Sequence, residues 1–217
     1  MMNINKAQTA ESQAAISPGK AVQMLKEGND RFVKGDTADR DLHEQVKQTS
    51  SGQYPFASIV SCIDSRIPTE IVFDQGIGDI FNARIAGNFV NEDILGSLEF
   101  ACKLAGSKVI VVMGHTSCGA VKGACDHAKL GNLTQMLDKI MPAVDAVETS
   151  PGEDRSSGNI EFVNRVARKN VELTIEEIKK KSPVLKEMYD NGEIDIAGAM
   201  YDVNSGAVSF HNSERSV

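Results

Sequence analysis

No stretch of this sequence approaches the roughly 18 consecutive apolar residues that a membrane-spanning helix needs. The opening segment, Met1 to Ser17, is polar and lacks the apolar centre of a secretory leader. There is no excess of positive charge either. Lys and Arg number 23 against 30 Asp and Glu, a formal net charge of −7. Without a basic footprint or a long run of one sign, nucleic-acid phosphates are excluded as partners. Four cysteines in 217 residues are too few for a disulfide framework, and cysteines near a histidine point instead to a reducing compartment and a metal. Internal repeats and low-complexity tracts are absent. What remains is a chain of one-domain length, able to bury a core without covalent staples, and expected in the cytoplasm.

Periodicity and punctuation place the elements. Ser17-Pro18 starts a helix, with an N-cap followed by Pro at the first helical position, and Gly35 ends it. A short polar helix follows over residues 42–50. Strands are expected over residues 56–62, 79–85 and 108–113. Pro68 opens a short helix through Phe73, and Asn91 caps a longer one that stops at Gly106. Further helices are expected from Ser117 to His127, over 133–147, over 160–181 and over 183–190. A strand pair, 194–202 and 207–210, turns around Asn204-Ser205-Gly206. Alternating strands and helices argue an α/β protein: a mostly parallel central sheet with helices on both faces, an N-terminal helical arm and a C-terminal antiparallel edge strand. Residues 1–16 read as a flexible segment, or as one that orders only against a partner subunit, and 17–217 as a single domain.

Two short segments carry the chemistry: Cys62-Ile63-Asp64-Ser65-Arg66 and, 53 residues on, His115-Thr116-Ser117-Cys118-Gly119. Each follows an apolar run that reads as a buried strand. If those strands are parallel neighbours, Cys62, His115 and Cys118 converge at their carboxyl ends, where ligand crevices of open α/β sheets form. Two thiolates and an imidazole are three good zinc ligands, and three protein ligands with a free position is how catalytic zinc is held. Asp64 would supply a hydrogen-bond acceptor beside the metal, with Arg66 gripping its carboxylate in a two-pronged pair.

The paired motifs resemble those of the β-class carbonic anhydrases. The likeness extends through Asp74-Gln75-Gly76, Phe81-Asn82-Ala83-Arg84-Ile85-Ala86-Gly87-Asn88 and Ser97-Leu98-Glu99-Phe100-Ala101 to the strand ending in Tyr201-Asp202, roughly residues 17 to 212. It implies one Zn2+ per chain on Cys62, His115 and Cys118 and a catalytic dyad of Asp64 and Arg66. The implied activity is reversible hydration of CO2 to bicarbonate and a proton through zinc-bound hydroxide. It also implies a homodimer, alone or paired into a tetramer.

In plant-type members a Gln nine residues before the first Cys contacts substrate across the dimer interface, and Gln53 stands there. Phe81, Ala86 and Phe100 fall where the family lines its pocket. Phe100 replaces a common Tyr and Ala86 a larger Val, so the wall is more apolar and wider. The backbone N–H of Gly119, at a helix start, could receive an anion. Some bacterial members bind bicarbonate at a regulatory site using a Trp three residues before the first Cys. That position is Ile59, and with no Trp anywhere in the chain such a site is not expected.

Cys102 reads as core, and Cys125, about two helical turns past Cys118, cannot share its metal. His43, His127 and His211 read as surface or structural. Two rival functions use the same ligands: hydrolysis of carbonyl sulfide or carbon disulfide, and a purely structural zinc site. Asp64, Arg66 and Gln53 speak against the second, because a closed structural site needs none of them.

Overall fold

The computed structural model describes residues 6–211. Its centre is a five-stranded sheet in the order β2-β1-β3-β4-β5. β1 (Ala57–Ser61), β2 (Ile80–Arg84), β3 (Val109–His115) and β4 (Asp195–Tyr201) are parallel, and β5 (Val208–His211) closes one edge antiparallel to β4. Every residue of β1, β3 and β4 is buried. Near-continuous apolar strands of this kind belong to a parallel sheet covered on both faces.

The covering helices are amphipathic. α1 (Ala10–Ala14), α2 (Pro18–Lys34) and α3 (Leu42–Thr49) precede the sheet, and α4 (Thr69–Val72) links β1 to β2. α5 (Glu92–Glu99) leads towards β3, and α6 (Gly119–Cys125), α7 (Gly131–Leu137), α8 (Met141–Ala146), α9 (Ile160–Lys181) and α10 (Pro183–Asp190) fill the long crossover to β4. α2 packs on α4 and β3, whereas α9 packs on β3 and β4 and α10 on α9 and α5. The β1-to-β2 and β2-to-β3 connections run in opposite directions across the sheet. Right-handed crossovers of opposite direction put their helices on opposite faces, and the reversal leaves a crevice at the carboxyl ends of β1 and β3.

Several local features depart from the sequence expectation, each for a physical reason. The helix expected over 133–147 is two, α7 and α8, because Pro142 sits at the start of α8 and cannot continue a helix from before it. The helix after Asn91 widens into a π-helical turn, Phe100–Leu104, closed by Ala105 N–H on Phe100 O at 3.0 Å. β3 runs two residues further than expected and takes His115 into the strand. α6 starts at Gly119 rather than Ser117, since Ser117 is left-handed, φ 55°. Within the segment expected to be flexible, α1 is docked by the buried Gln13, whose Nε2 donates to Pro55 O at 2.8 Å and Ala105 O at 2.7 Å.

Two buried polar side chains tie the periphery down. Asp74 is gripped by the guanidinium groups of both Arg31 and Arg40. Asn29, on α2, donates to Val72 O at 3.1 Å and Gly206 O at 2.9 Å and accepts from Val208 N–H at 2.8 Å.

Candidate metal centre

Cys62 follows β1 directly, His115 ends β3, and Cys118 is the N-cap of α6. Because β1 and β3 are paired in parallel, with Ser61 beside Met113, both segments leave the sheet at the same edge. The ligand atoms of Cys62, His115 and Cys118 all lie within 4.8 Å of one another, and all three residues are buried. Cys62 Sγ and Cys118 Sγ are 4.0 Å apart. Tetrahedral zinc with bonds of about 2.3 Å would put two thiolates about 3.8 Å apart.

The imidazole is already oriented. His115 Nδ1–H donates to Thr116 O at 2.9 Å, which leaves Nε2 as the lone-pair nitrogen. That atom is buried and has no hydrogen-bond partner among the described residues. An orphaned buried acceptor beside two thiol sulfurs fits a metal ion and little else. The hydrogen bond from Cys118 lowers the Cys62 pKa against the opposing effect of burial, and the Gly87 N–H adds to the lowering. The Cys118 thiol is pushed up by the same hydrogen bond and by burial. Zinc would take both as thiolates.

Asp64 stands beside this cluster, Oδ2 3.8 Å from His115 Nε2. Arg66 holds it at three points: Nε to Oδ1 at 2.9 Å, Nη2 to Oδ2 at 2.7 Å, and backbone N–H to Oδ1 at 3.0 Å. The hydrogen bonds from the Arg66 side chain, ahead of other causes, keep the carboxyl well below the usual carboxylate range. Asp64 is therefore an acceptor at any physiological pH.

Ala86 and Gly119 line a cavity of about 250 Å³ together with Cys62 and Asp64. Phe81 and Phe100 do not: they line a separate cavity of about 540 Å³, their rings edge to face at 6.4 Å. Gln53 is exposed, in the loop before β1. Cys102 and Cys125 are buried away from the cluster and His43 and His127 are exposed, whereas His211 is half-buried.

Sequence reasoning missed three supports. Arg84 donates to Cys62 O at 3.0 Å and Asp64 O at 2.7 Å, clamping the turn that carries both side chains. Asn164 Oδ1 accepts from Ser117 N–H at 2.9 Å, and Asn170 Nδ2 donates to Gly87 O at 2.7 Å. For the last two the available signal was asparagines on the largely apolar face of α9.

Fold and site together define a doubly wound α/β protein whose two cysteines and one histidine meet at its topological switch point in a group able to hold a metal ion. The family model described as "Carbonic anhydrase" matches residues 57–208. The chain is 34% identical to carbonic anhydrase 2 of Mycobacterium tuberculosis, covering 88% of this chain and 91% of that protein. It is 31% identical to the carbonic anhydrase of Mycolicibacterium smegmatis, covering 90% and 94%. Among solved structures it resembles the β-carbonic anhydrase CafA of Aspergillus fumigatus, with TM-score 0.66, 26% identity and 90% of each chain covered. The chain belongs to the β-carbonic anhydrase family.

Proposed function

We propose that this protein catalyses the reversible hydration of CO2 to bicarbonate and a proton, with one zinc per chain held by Cys62, His115 and Cys118. The observation that carries the reading is the convergence of these three ligand atoms with Asp64 fixed alongside them. Zinc bound there would supply a Lewis acid that makes water a nucleophile near neutral pH. The protein's own groups do the rest. Asp64 Oδ2 accepts a hydrogen bond from the attacking oxygen and aims its remaining lone pair at carbon, and Arg66 fixes that oxygen in place. Ala86 keeps the pocket open beside Cys62. The Gly119 N–H, at the start of α6, offers a donor to the anionic product.

Gln53, Phe81 and Phe100 are proposed as substrate-side residues supplied across a subunit interface, since within one chain they lie apart from the metal ligands. Support comes from the exposed apolar surface next to them: Phe100 is 51% and Leu104 77% exposed, and such patches mark interaction sites. The assembly is thus a homodimer, alone or paired into a tetramer, built from one catalytic domain beginning near residue 17. No described helix is long and apolar enough to cross a membrane, in keeping with a cytoplasmic location. Stopped-flow CO2 hydration by the zinc-loaded protein is the test, and absence of activity above the buffer rate would refute the proposal.

A further inference from the structure

The cavity beside the metal ligands has Asp64 as its one charged lining residue, and α6 and α7 supply most of the rest. Leu133, Met136 and Leu137 stand at i, i+3 and i+4, one face of that helix, opposite Ala120 and Gly123 of α6. Leu137 is 3% exposed and anchored: a Cβ added at Gly123 would meet its Cδ1 at 3.3 Å. Leu133 and Met136 are only half-buried and, like the exposed Ile63, line the cavity where it meets the surface. A Cβ added at Gly119, by contrast, would meet nothing within 4 Å, so free space lies above it. The end of α7 is set by the break before Pro142, which separates this wall from α8.

We propose that α7 is the size gauge of the site, with Leu133 and Met136 setting the width of the passage to the metal ligands. The inference rests on the hydration reading above. CO2 offers no hydrogen-bonding handle, so the pocket can select it only by shape and apolar contact. Leu133 supplies a branched, stiff edge and Met136 an unbranched one that yields. A linear three-atom molecule is the class admitted. The polar product is received on the Asp64 and Gly119 side.

The test pairs two measurements. Cobalt(II)-loaded protein is titrated with thiocyanate, a linear three-atom probe, and its visible spectrum is followed. Steady-state hydration of CO2 and hydrolysis of carbon disulfide are measured on the zinc form. Leu133→Phe should raise both the thiocyanate Kd and the KM for CO2 about tenfold. Its kcat should stay within about twofold of wild type, because binding rather than chemistry is affected. Met136→Ala should raise carbon disulfide turnover relative to CO2 about tenfold, and the volume-conserving Met136→Leu should restore the original ratio. If Leu133→Phe and Met136→Ala both keep their metal and melting temperature yet leave Kd, KM and substrate ratio unchanged, the gauge is refuted. Wild-type protein that binds thiocyanate but does not hydrate CO2 would remove the hydration reading, while the Kd series would still decide the gauge.

Discussion

The Arg66 guanidinium meets the Asp64 carboxylate fork to fork, Nε on Oδ1 at 2.9 Å and Nη2 on Oδ2 at 2.7 Å, although Arg66 itself is largely exposed. An exposed ion pair contributes little to stability, so the value of this one lies in orientation. Arg66→Ala is expected to lower kcat on the order of a hundredfold with little change in melting temperature. Arg66→Lys should resemble Ala more than wild type, because an ammonium cannot make the fork. Asp64→Ala should cost at least as much. Stopped-flow kinetics beside thermal melts check all three, and full activity in Arg66→Ala would remove the positioning role.

Metal content separates the cysteines. Cys118→Ser is expected to lose stoichiometric zinc and CO2 hydration together. Cys125→Ser, seven residues and about 10 Å along α6, should keep both. Elemental analysis after dialysis reads the result, and a metal-free but active Cys118→Ser protein would overturn the ligand assignment.

Gly87 couples backbone geometry to the site. It has φ +82°, its N–H donates to Cys62 Sγ at 3.4 Å, and an added Cβ would press on the tip of the Ile140 side chain. Gly87→Ala is expected to cost about 2 kcal/mol or more and to speed zinc loss to a competing chelator. Urea unfolding and chelator kinetics test the two halves. Wild-type values in both would show that the turn relaxes freely.

His211 gives a pH dependence of stability. Burial, then the nearby Arg168 charge, lowers its pKa below the ordinary histidine value of 6.5. A folded-state pKa below the unfolded one means that the unfolded chain binds the proton more tightly. The contribution of His211 is therefore present above about pH 6.5 and is lost as pH falls below that value. His211→Gln should melt below wild type at pH 8, with the gap narrowing towards pH 5. Both proteins carry the same zinc ligands, so the difference isolates His211. A gap independent of pH would refute this.

Assembly is tested at the exposed apolar face. Phe100→Glu is expected to yield a monomer by sedimentation equilibrium that still holds zinc but hydrates CO2 poorly. A fully active wild-type monomer at micromolar concentration would refute the shared-site proposal.

The convergence of Cys62, His115 and Cys118 was legible because uninterrupted apolar runs locate β1 and β3, and parallel pairing then forces their ends together. The pairing of Asp64 with Arg66 was implied by the family resemblance. The break at Pro142 could be read from the chain but was outweighed by the amphipathic pattern around it. The π-helical turn after Glu99 carries no local mark, since Phe100-Ala101-Cys102 suits either helix. The separation of Phe81 and Phe100 from the Cys62 cluster depends on the tertiary placement of β2 and of the turn after α5, which no local signal encodes. Arg84 sat in plain view, but its two carbonyl partners exist only once β2 lies beside β1.

The three hydrogen bonds of Asn29 bear on how the protein is made. Two of its partners, Gly206 and Val208, lie 177 and 179 residues further along the chain. At about 5–20 residues per second of ribosomal synthesis, α2 waits on the order of 10–40 s for them. Throughout that interval Asn29 lacks two of its three hydrogen bonds, so α2 is fully anchored only when the last strand arrives. Ribosome-stalled chains cut before residue 206 should remain protease-sensitive in α2, whereas those extended well beyond Val208 should not.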